Sequence, residues 1–136
     1  MNDVFKIDNT SNELSIKGGS GFDTLVLNGA GLNLDLTAAE AVSLSSVERV
    51  DLTGTGNNTI KLNLDNLTQA DVIGPVHTLF ITGDAGDAVD LVKPEGWTVA
   101  STLPTQTVNN IAYNVYHLDS THDLLIQQAI TNVTFI

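Results

Sequence analysis

The sequence predicts an all-β fold: an irregular β-solenoid or β-sandwich-like module with short helical turns and a C-terminal antiparallel meander. Two observations lead to this prediction. Apolar and polar residues alternate in short segments along the chain, which is the period of a β-strand. Polar turns rich in glycine come directly before several of these segments. A chain of 136 residues suits one hydrophobic core, so we expect residues 1–136 to form a single domain.

The predicted strands are short and lie along the whole chain. They are Val4–Ile7, Glu13–Lys17, Thr24–Leu27, Leu32–Leu36, Val47–Leu52, Thr59–Leu64, Thr78–Ile81, Ala88–Val92, Ile111–Leu118, Asp123–Gln127 and Asn132–Ile136. The last three, with a turn at residues 119–122, form the predicted meander.

Helix is predicted at only two places. Thr37–Ser45 offers Thr37 as N-cap and Glu40 at the capping-box position. Asp65–Ile73 is followed by a Gly-Pro pair, which ends helices. The segment Lys93–Thr107 contains two of the three prolines and is predicted to be a loop.

The charge balance limits the possible partners. The chain has 16 acidic and 5 basic residues, a formal charge of −11 and no cysteine. Nucleic acids and anionic membranes would be repelled by this charge, so we expect neither nucleic-acid binding nor membrane insertion. The absence of cysteine excludes disulfides and thiolate sites. Clustered carboxylates favour a divalent cation, although an acidic, soluble surface explains the charge equally well.

Three polar turns share one pattern, at Gly18–Leu27, Thr53–Leu62 and Thr82–Leu91. Each has glycine in its second place, Asp or Asn in its sixth, and apolar residues in its eighth and tenth. Glycine permits the sharp turn, and the alternating apolar residues then form a strand. The copies are unequally spaced, which indicates decorated repeats carrying inserted structure.

The first copy matches a calcium-binding pattern. Residues 18–25 read GGSGFDTL and fit G-G-x-G-x-D-x-U, the nonapeptide repeat that binds Ca²⁺. Turn carbonyls and a carboxylate supply the hard oxygen ligands that calcium prefers. We therefore predict calcium ligands at Gly18, Ser20 and Asp23. The segment Asn28–Asn33 has glycines in register, but Asn33 stands in place of the Asp.

The other two copies are weaker candidates. Asp84 and Asp87 could face one ion, or they could cap their own turn. Asp90 alternates with apolar neighbours and is expected to face solvent. The middle copy has Asn57 and Asn58 in place of acidic residues, so a hydrogen-bonded turn without an ion is expected there.

The sequence contains no recognisable catalytic set, and we expect a protein that is not an enzyme. His77, His117 and His122 are far apart and form no H-E-x-x-H motif, and no G-x-S-x-G nucleophile elbow is present. Trp97, the single tryptophan, could stack on a sugar ring. A solitary tryptophan is more often an anchor of a core or loop.

Four segments together resemble a module of the giant RTX adhesins of Gram-negative bacteria. They are Val47–Ile60, Leu79–Leu91, Gly96–Thr98 and Ala112–Tyr116, in the same order along the chain. The resemblance implies a non-catalytic module of an extracellular, cell-surface protein that supports cell adhesion or biofilm formation. It also implies export by type I secretion, folding triggered by extracellular calcium, and neighbouring domains of the same adhesin as partners.

A second hypothesis from the sequence is a ligand-binding adhesin domain. Under this hypothesis the exposed loop around Trp97 contacts a host-surface carbohydrate or peptide.

Overall fold

The structure, a computed structural model, describes residues 2–8, 14–37, 42–53, 56–64, 72–73 and 76–136. Within these ranges the chain is all-β, as predicted, and Leu64 is the one residue with helical conformation. No helix in the described ranges is long and apolar enough to cross a membrane. The strands belong to three sheets of eight, four and two strands.

The largest sheet is mostly parallel. Its order is β1-β3-β6-β9-β13-β12-β11, with β8 paired to β9 beside this path. The strands from β1 to β13 in that order are parallel neighbours, and the hairpin of β11 and β12 adds two antiparallel strands at one end. Its strands are β1 Val4–Ile7, β3 Thr24–Leu27, β6 Arg49–Asp51, β8 Val72–Ile73, β9 Val76–Thr82, β11 Thr105–Val108, β12 Ile111–Asp119 and β13 His122–Gln127.

The two smaller sheets are entirely parallel. The four-stranded sheet has the order β14-β10-β7-β4, and the two-stranded sheet pairs β2 with β5. Their strands are β2 Leu14–Lys17, β4 Asn33–Asp35, β5 Val42–Ser45, β7 Thr59–Leu62, β10 Ala88–Leu91 and β14 Asn132–Phe135.

One apolar cluster forms the core between the sheets, and the strands contribute alternate residues to it. In β3, Leu25 and Leu27 are fully buried, and in β7, Ile60 and Leu62 are fully buried. These side chains belong to the same cluster, so the eight- and four-stranded sheets share a core. Each fully buried aliphatic side chain contributes about 1.5–3 kcal/mol. Period two along strands such as β7 and β10 therefore explains which of their side chains face the core.

The sequence repeats stack differently from their alignment. The second and third copies lead into β7 and β10, which are direct neighbours with Thr59 opposite Ala88. The first copy leads into β3 in the other sheet. The segment that stacks on the second copy is Asn28–Asn33, because Asn33 pairs with Thr59. The shared pattern thus marks turns that precede strands in two different sheets.

The predicted helix Thr37–Ser45 is wrong over its second half. Val42–Ser45 is strand β5, parallel to β2, while residues 38–41 lie outside the described ranges. The capping signal at Thr37 was outweighed by strand pairing, to which the period-two sequence Val-Ser-Leu-Ser is suited. The second predicted helix, Asp65–Ile73, falls mainly on residues 65–71, which are outside the described ranges, but its last two residues form β8.

The C-terminal meander is correct only for its hairpin. The strands β12 and β13 are antiparallel neighbours, but β14 leaves this sheet and pairs in parallel with β10. The other edge of β13 is taken by β9, also in parallel. The end of the predicted loop Lys93–Thr107 is part of β11, which pairs with β12. Alternation cannot distinguish antiparallel from parallel neighbours, because both place side chains on alternate faces.

A matched pair of substitutions tests this burial. Val50 is fully buried in the shared core, whereas Val4 is 60% exposed. We expect Val50→Ala to lower the free energy of unfolding by about 2 kcal/mol through lost burial and an unfilled cavity. The same change at Val4 should stay within about 0.5 kcal/mol. Urea unfolding followed by circular dichroism measures both, and equal losses would contradict the assigned faces.

Candidate metal site

Polar side chains occupy buried positions immediately before strands of the eight-stranded sheet. Asp23 precedes β3 and Glu48 precedes β6. Each of the two residues keeps at most 1% of its surface accessible. The Asp3 amide donates to Asp23 Oδ1 at 2.6 Å, and the Asp23 amide donates to Glu48 Oε2 at 2.6 Å. The three residues are in register, because Val4 pairs with Thr24 and Thr24 with Arg49. We call Asp3, Asp23 and Glu48 the first ladder.

The four-stranded sheet has an equivalent arrangement. The Leu32 amide donates to Asn58 Oδ1 at 2.8 Å, and the Asn58 amide donates to Asp87 Oδ1 at 2.8 Å. Asn58 also donates from Nδ2 to the carbonyls of Gly29 and Leu52. We call Leu32, Asn58 and Asp87 the second ladder. In both ladders a side-chain oxygen accepts the amide of the residue in register on the neighbouring strand.

The second ladder and its turn contain two predicted metal ligands, Asp87 and Asp84. Both carboxylate oxygens of Asp87 accept backbone amides, Oδ1 from Asn58 and Oδ2 from Asp84 at 2.7 Å. The Asp84 residue is exposed, whereas Asp87 is fully buried. Asp87 therefore accepts backbone amides with both oxygens, as a turn-capping side chain does, and metal binding by Asp84 and Asp87 stays a prediction. The Asn57-Asn58 turn is hydrogen-bonded as predicted, with Asn58 buried at its centre.

Of the other three predicted ligands, only Asp23 belongs to the first ladder, and Gly18 and Ser20 lie in the segment just before it. Ser20 lies exposed in the turn, whereas Gly18 and Asp23 are buried. A Cβ on Gly18 would overlap the Ser46 carbonyl oxygen and lie 2.5 Å from Asp23 Oδ2. These two oxygens therefore face the same small space beside Gly18. Only glycine leaves that space open, which gives this glycine of the motif a specific reason.

Asp23 Oδ2 is buried, and no residue in the described ranges donates a hydrogen bond to it. Its partner across the space is a carbonyl oxygen, which can only accept. No Lys, Arg or His of the described residues lies within salt-bridge distance of Asp23. A buried carboxylate oxygen without a donor or counter-charge is costly, so this position favours a bound cation.

The oxygen donors that fit a hard cation here are Asp23 Oδ2 and the Ser46 carbonyl, and the Glu48 carboxylate lies on the adjoining strand. Calcium binds carboxylate and carbonyl oxygens together, so the donor chemistry fits it. In the described part of the chain, no group of three or more His, Asp or Glu side chains could hold a metal ion. Backbone carbonyls would have to complete any site.

Comparison with known proteins gives no relative of this chain: no family model, no curated protein and no solved structure matches it.

Trp97 is held at both its edge and its face. Its Nε1 donates to the His117 carbonyl at 2.8 Å, and its ring centroid lies 5.5 Å from that of Phe135. These contacts attach the loop to β12 and β14. The structure thus gives Trp97 the role of a loop anchor.

His77 and His122 are brought together by parallel strand pairing that the sequence does not predict. His77 in β9 is in register with His122 in β13, and their rings stack with centroids 5.1 Å apart. His122 Nδ1 lies 2.7 Å from Asp119 Oδ1. His117 faces Asp123 across the hairpin, with Nδ1 and Oδ1 2.5 Å apart. No local motif connects His77 with His122, because a long stretch of chain and several strands separate them.

Removing the second-ladder carboxylate should be costly. We expect Asp87→Ala to lower the free energy of unfolding by about 3 kcal/mol, because the amides of Asn58 and Asp84 lose their acceptor. Asp84→Ala removes an exposed carboxylate of the same turn and should change stability by at most about 0.5 kcal/mol. Chemical denaturation in chelator compares the two. Similar losses for both variants would contradict a capping role confined to Asp87.

Asp119 should make the β12–β13 turn sensitive to acid. The Thr121 amide, and then His122, lower the pKa of Asp119 below its ordinary value of 3.8. A carboxyl with a lowered pKa stabilises the fold above its unfolded-state pKa, and this contribution is lost as the pH falls through the folded-state pKa. Asp119→Asn should therefore lower the melting temperature at pH 7 and have progressively less effect below about pH 4.

His122→Gln provides the comparison for this pH effect, because it retains the Thr121 amide, the larger cause of the lowered pKa. Melting curves of all three proteins should show that His122→Gln keeps most of the acid dependence. An Asp119→Asn difference that is the same at pH 7 and at strongly acidic pH would contradict the assignment.

Proposed function

We propose that this protein is a non-catalytic structural module of an extracellular bacterial surface adhesin, folded as a β-solenoid and stabilised by calcium. The observation that carries the proposal lies beside Gly18, where the buried Asp23 Oδ2, to which no described residue donates, is close to the Ser46 carbonyl oxygen. The resemblance of four ordered segments to RTX adhesins supports the same conclusion.

The order in which the chain visits its sheets supports the solenoid. From β3 the chain passes to β4 in the four-stranded sheet and to β5 in the two-stranded sheet, and then returns to β6 beside β3. The pairs β6 and β7, β9 and β10, and β13 and β14 repeat the step between the two larger sheets. Every one of these returns is parallel. Repeated parallel returns to the same sheets are the defining feature of solenoid stacking.

Calcium has a defined role in this proposal. It would bind Asp23 Oδ2 and the Ser46 carbonyl beside Gly18, and it would neutralise the carboxylates of the first ladder. The charge of −11 makes an ion-free chain repel itself. Calcium outside the cell would therefore favour the folded module. The buried polar side chains of the ladders accept hydrogen bonds from backbone amides, which suits a structural role. The proposed role is therefore non-catalytic.

Neighbouring domains of the same adhesin are the proposed partners. β1 is an end strand of the eight-stranded sheet, and β4 and β14 are the end strands of the four-stranded sheet. Strand edges of this kind pair readily with further strands. A stack of this type can therefore be continued or covered by an adjacent module on the cell surface.

Calcium-dependent melting tests the proposal. We expect millimolar calcium to raise the melting temperature of the unaltered protein relative to chelator, since a ligand at about 100 times its Kd stabilises by about 2.7 kcal/mol. Asp23→Asn should abolish this response. The introduced carboxamide would keep an acceptor for the Asp3 amide and place an NH₂ group opposite the Ser46 carbonyl, so the variant should melt higher than the unaltered protein in chelator.

Asp84→Asn is the matched control, because it removes one charge from an exposed position and should retain the calcium response. Mass spectrometry of the native protein should show bound calcium that Asp23→Asn lacks. A melting temperature of the unaltered protein that does not change between calcium and chelator would sink the calcium proposal.

A second candidate function is ligand binding by the loop around Trp97. The observation in its favour is that residues 98–102 are exposed and that Val99 keeps 42% of its surface accessible. Binding to a glycan or peptide array, reduced by Val99→Asp without loss of folding, would support this role. Trp97→Ala is less suitable because Trp97 anchors the loop. An array without binding would leave the structural role.

A further inference from the structure

The outer face of the eight-stranded sheet carries a second cluster, separate from the shared core. Val50 in β6 and Ile81 in β9 belong to the shared core, so their neighbours along each strand point to the opposite face. On that face Arg49 is paired with Phe80, and Asp51 with Thr82. Phe80 is the centre of a small buried cluster that includes Tyr113, Val115 and Leu125.

Arg49 is the only arginine in the chain, and its guanidinium forms no ion pair with a carboxylate of the described residues. Its Nε is buried and has no hydrogen-bond acceptor. The guanidinium carbon lies 5.8 Å from the centroid of the Phe22 ring. In the described part of the chain no carboxylate lies within salt-bridge distance of Arg49. In a protein with 16 acidic residues, this sole guanidinium is left with an unused donor.

A second unpartnered polar atom lies on the same face. Thr82 is 5% exposed, and its Oγ1 has no hydrogen-bond partner. Thr82 is one strand away from Arg49 and two residues further along, a diagonal separation of roughly 7–8 Å between Cα atoms. An arginine side chain spans that distance. Two buried polar atoms on neighbouring strands of one face therefore lack hydrogen-bond partners among the described residues.

Tyr113 adds a hydroxyl to this group. Its ring packs edge-on against Phe80 with centroids 5.2 Å apart. Burial raises the pKa of Tyr113, Arg49 lowers it and Asp51 raises it. Burial keeps the hydroxyl protonated at neutral pH, and the ring contact with Phe80 places Tyr113 on the face that carries Arg49. A protonated phenol can donate a hydrogen bond to an anion.

We propose that Arg49, Thr82 and Tyr113 form a binding site for a small monocarboxylate on the outer face of the sheet. The planar guanidinium offers paired N–H donors that match a carboxylate. The hydroxyls of Thr82 and Tyr113 can donate to the same anion, and the Phe22 ring provides an apolar surface beside it. Asp51, whose Oδ1 accepts from the Thr53 amide at 3.0 Å, lies next to Thr82 and disfavours a second negative charge. A monocarboxylate can place its apolar part against the Phe22 ring, which phosphate and sulfate cannot, so the site favours a monocarboxylate over these anions.

Titration with sodium benzoate tests the site through the arginine Nε–H signal in a ¹H–¹⁵N NMR spectrum. The signal has one source, because the chain has one arginine. We expect a saturable shift with a Kd of about millimolar or lower. Benzamide, the neutral analogue, should cause no saturable shift, and inorganic phosphate should bind at least about tenfold more weakly. Calcium is not required, so this result is independent of the proposed calcium site.

Variants of matched charge identify the groups responsible. Arg49→Lys keeps the positive charge but loses the paired N–H donors of the guanidinium. This change should weaken benzoate binding about tenfold, as measured by calorimetry. Thr82→Val keeps the side-chain volume and should weaken binding severalfold. Lys6→Gln removes a positive charge from an exposed position of β1 on the same face and should leave the affinity unchanged. Melting curves confirm that each variant is folded.

Three results would overturn the proposal. They are a benzoate titration without a saturable shift in the folded protein, equal shifts from benzamide and benzoate, and equal loss of affinity in Lys6→Gln and Arg49→Lys. The second result would indicate that the aromatic ring binds through apolar contacts alone. The third would indicate that affinity depends on the overall positive charge and not on Arg49.

Discussion

Amide groups just before several strands of the two larger sheets need acceptors, and buried side chains supply them. In a parallel stack the turn before a strand places its first amide beyond the reach of the regular ladder of backbone hydrogen bonds. Asp23, Glu48, Asn58 and Asp87 accept these amides from the neighbouring strand. Each acceptor is in register with its donor, so a shift of one strand would break the bond and bury an unsatisfied amide. The polar ladders thereby fix the register that the apolar core alone would leave adjustable.

This constraint gives the acidic residues several distinct tasks. Asp87 is fully used as a cap, with both oxygens accepting amides. Asp23 uses one oxygen in the same way, while the other meets a carbonyl. One residue type in one turn pattern therefore has different chemistry in the two sheets. The difference lies in the atom opposite the second oxygen, an amide in one turn and a carbonyl in the other.

The buried atoms without partners are few and have clear positions. In the described ranges they are Asp23 Oδ2, Arg49 Nε and Thr82 Oγ1. The first is an acceptor at a turn, and the other two lie on the outer face of the eight-stranded sheet. A charged or polar atom in such a position costs stability unless something binds it. The proposed cation site and the proposed carboxylate site both rest on this cost.

The sequence by itself determined the fold class, most strands and the turns that carry buried polar groups. Alternation and glycine placement are local properties, and strand geometry depends on them directly. Tertiary structure alone decided which strands are neighbours: β14 beside β10, β13 beside β9 and Val42–Ser45 in a strand. It also decided that Asp87 accepts the amides of Asn58 and Asp84, that His77 meets His122, and that no carboxylate of the described residues pairs with Arg49. These outcomes depend on atoms far apart in the chain, and period-two patterning is the same whichever strand is adjacent.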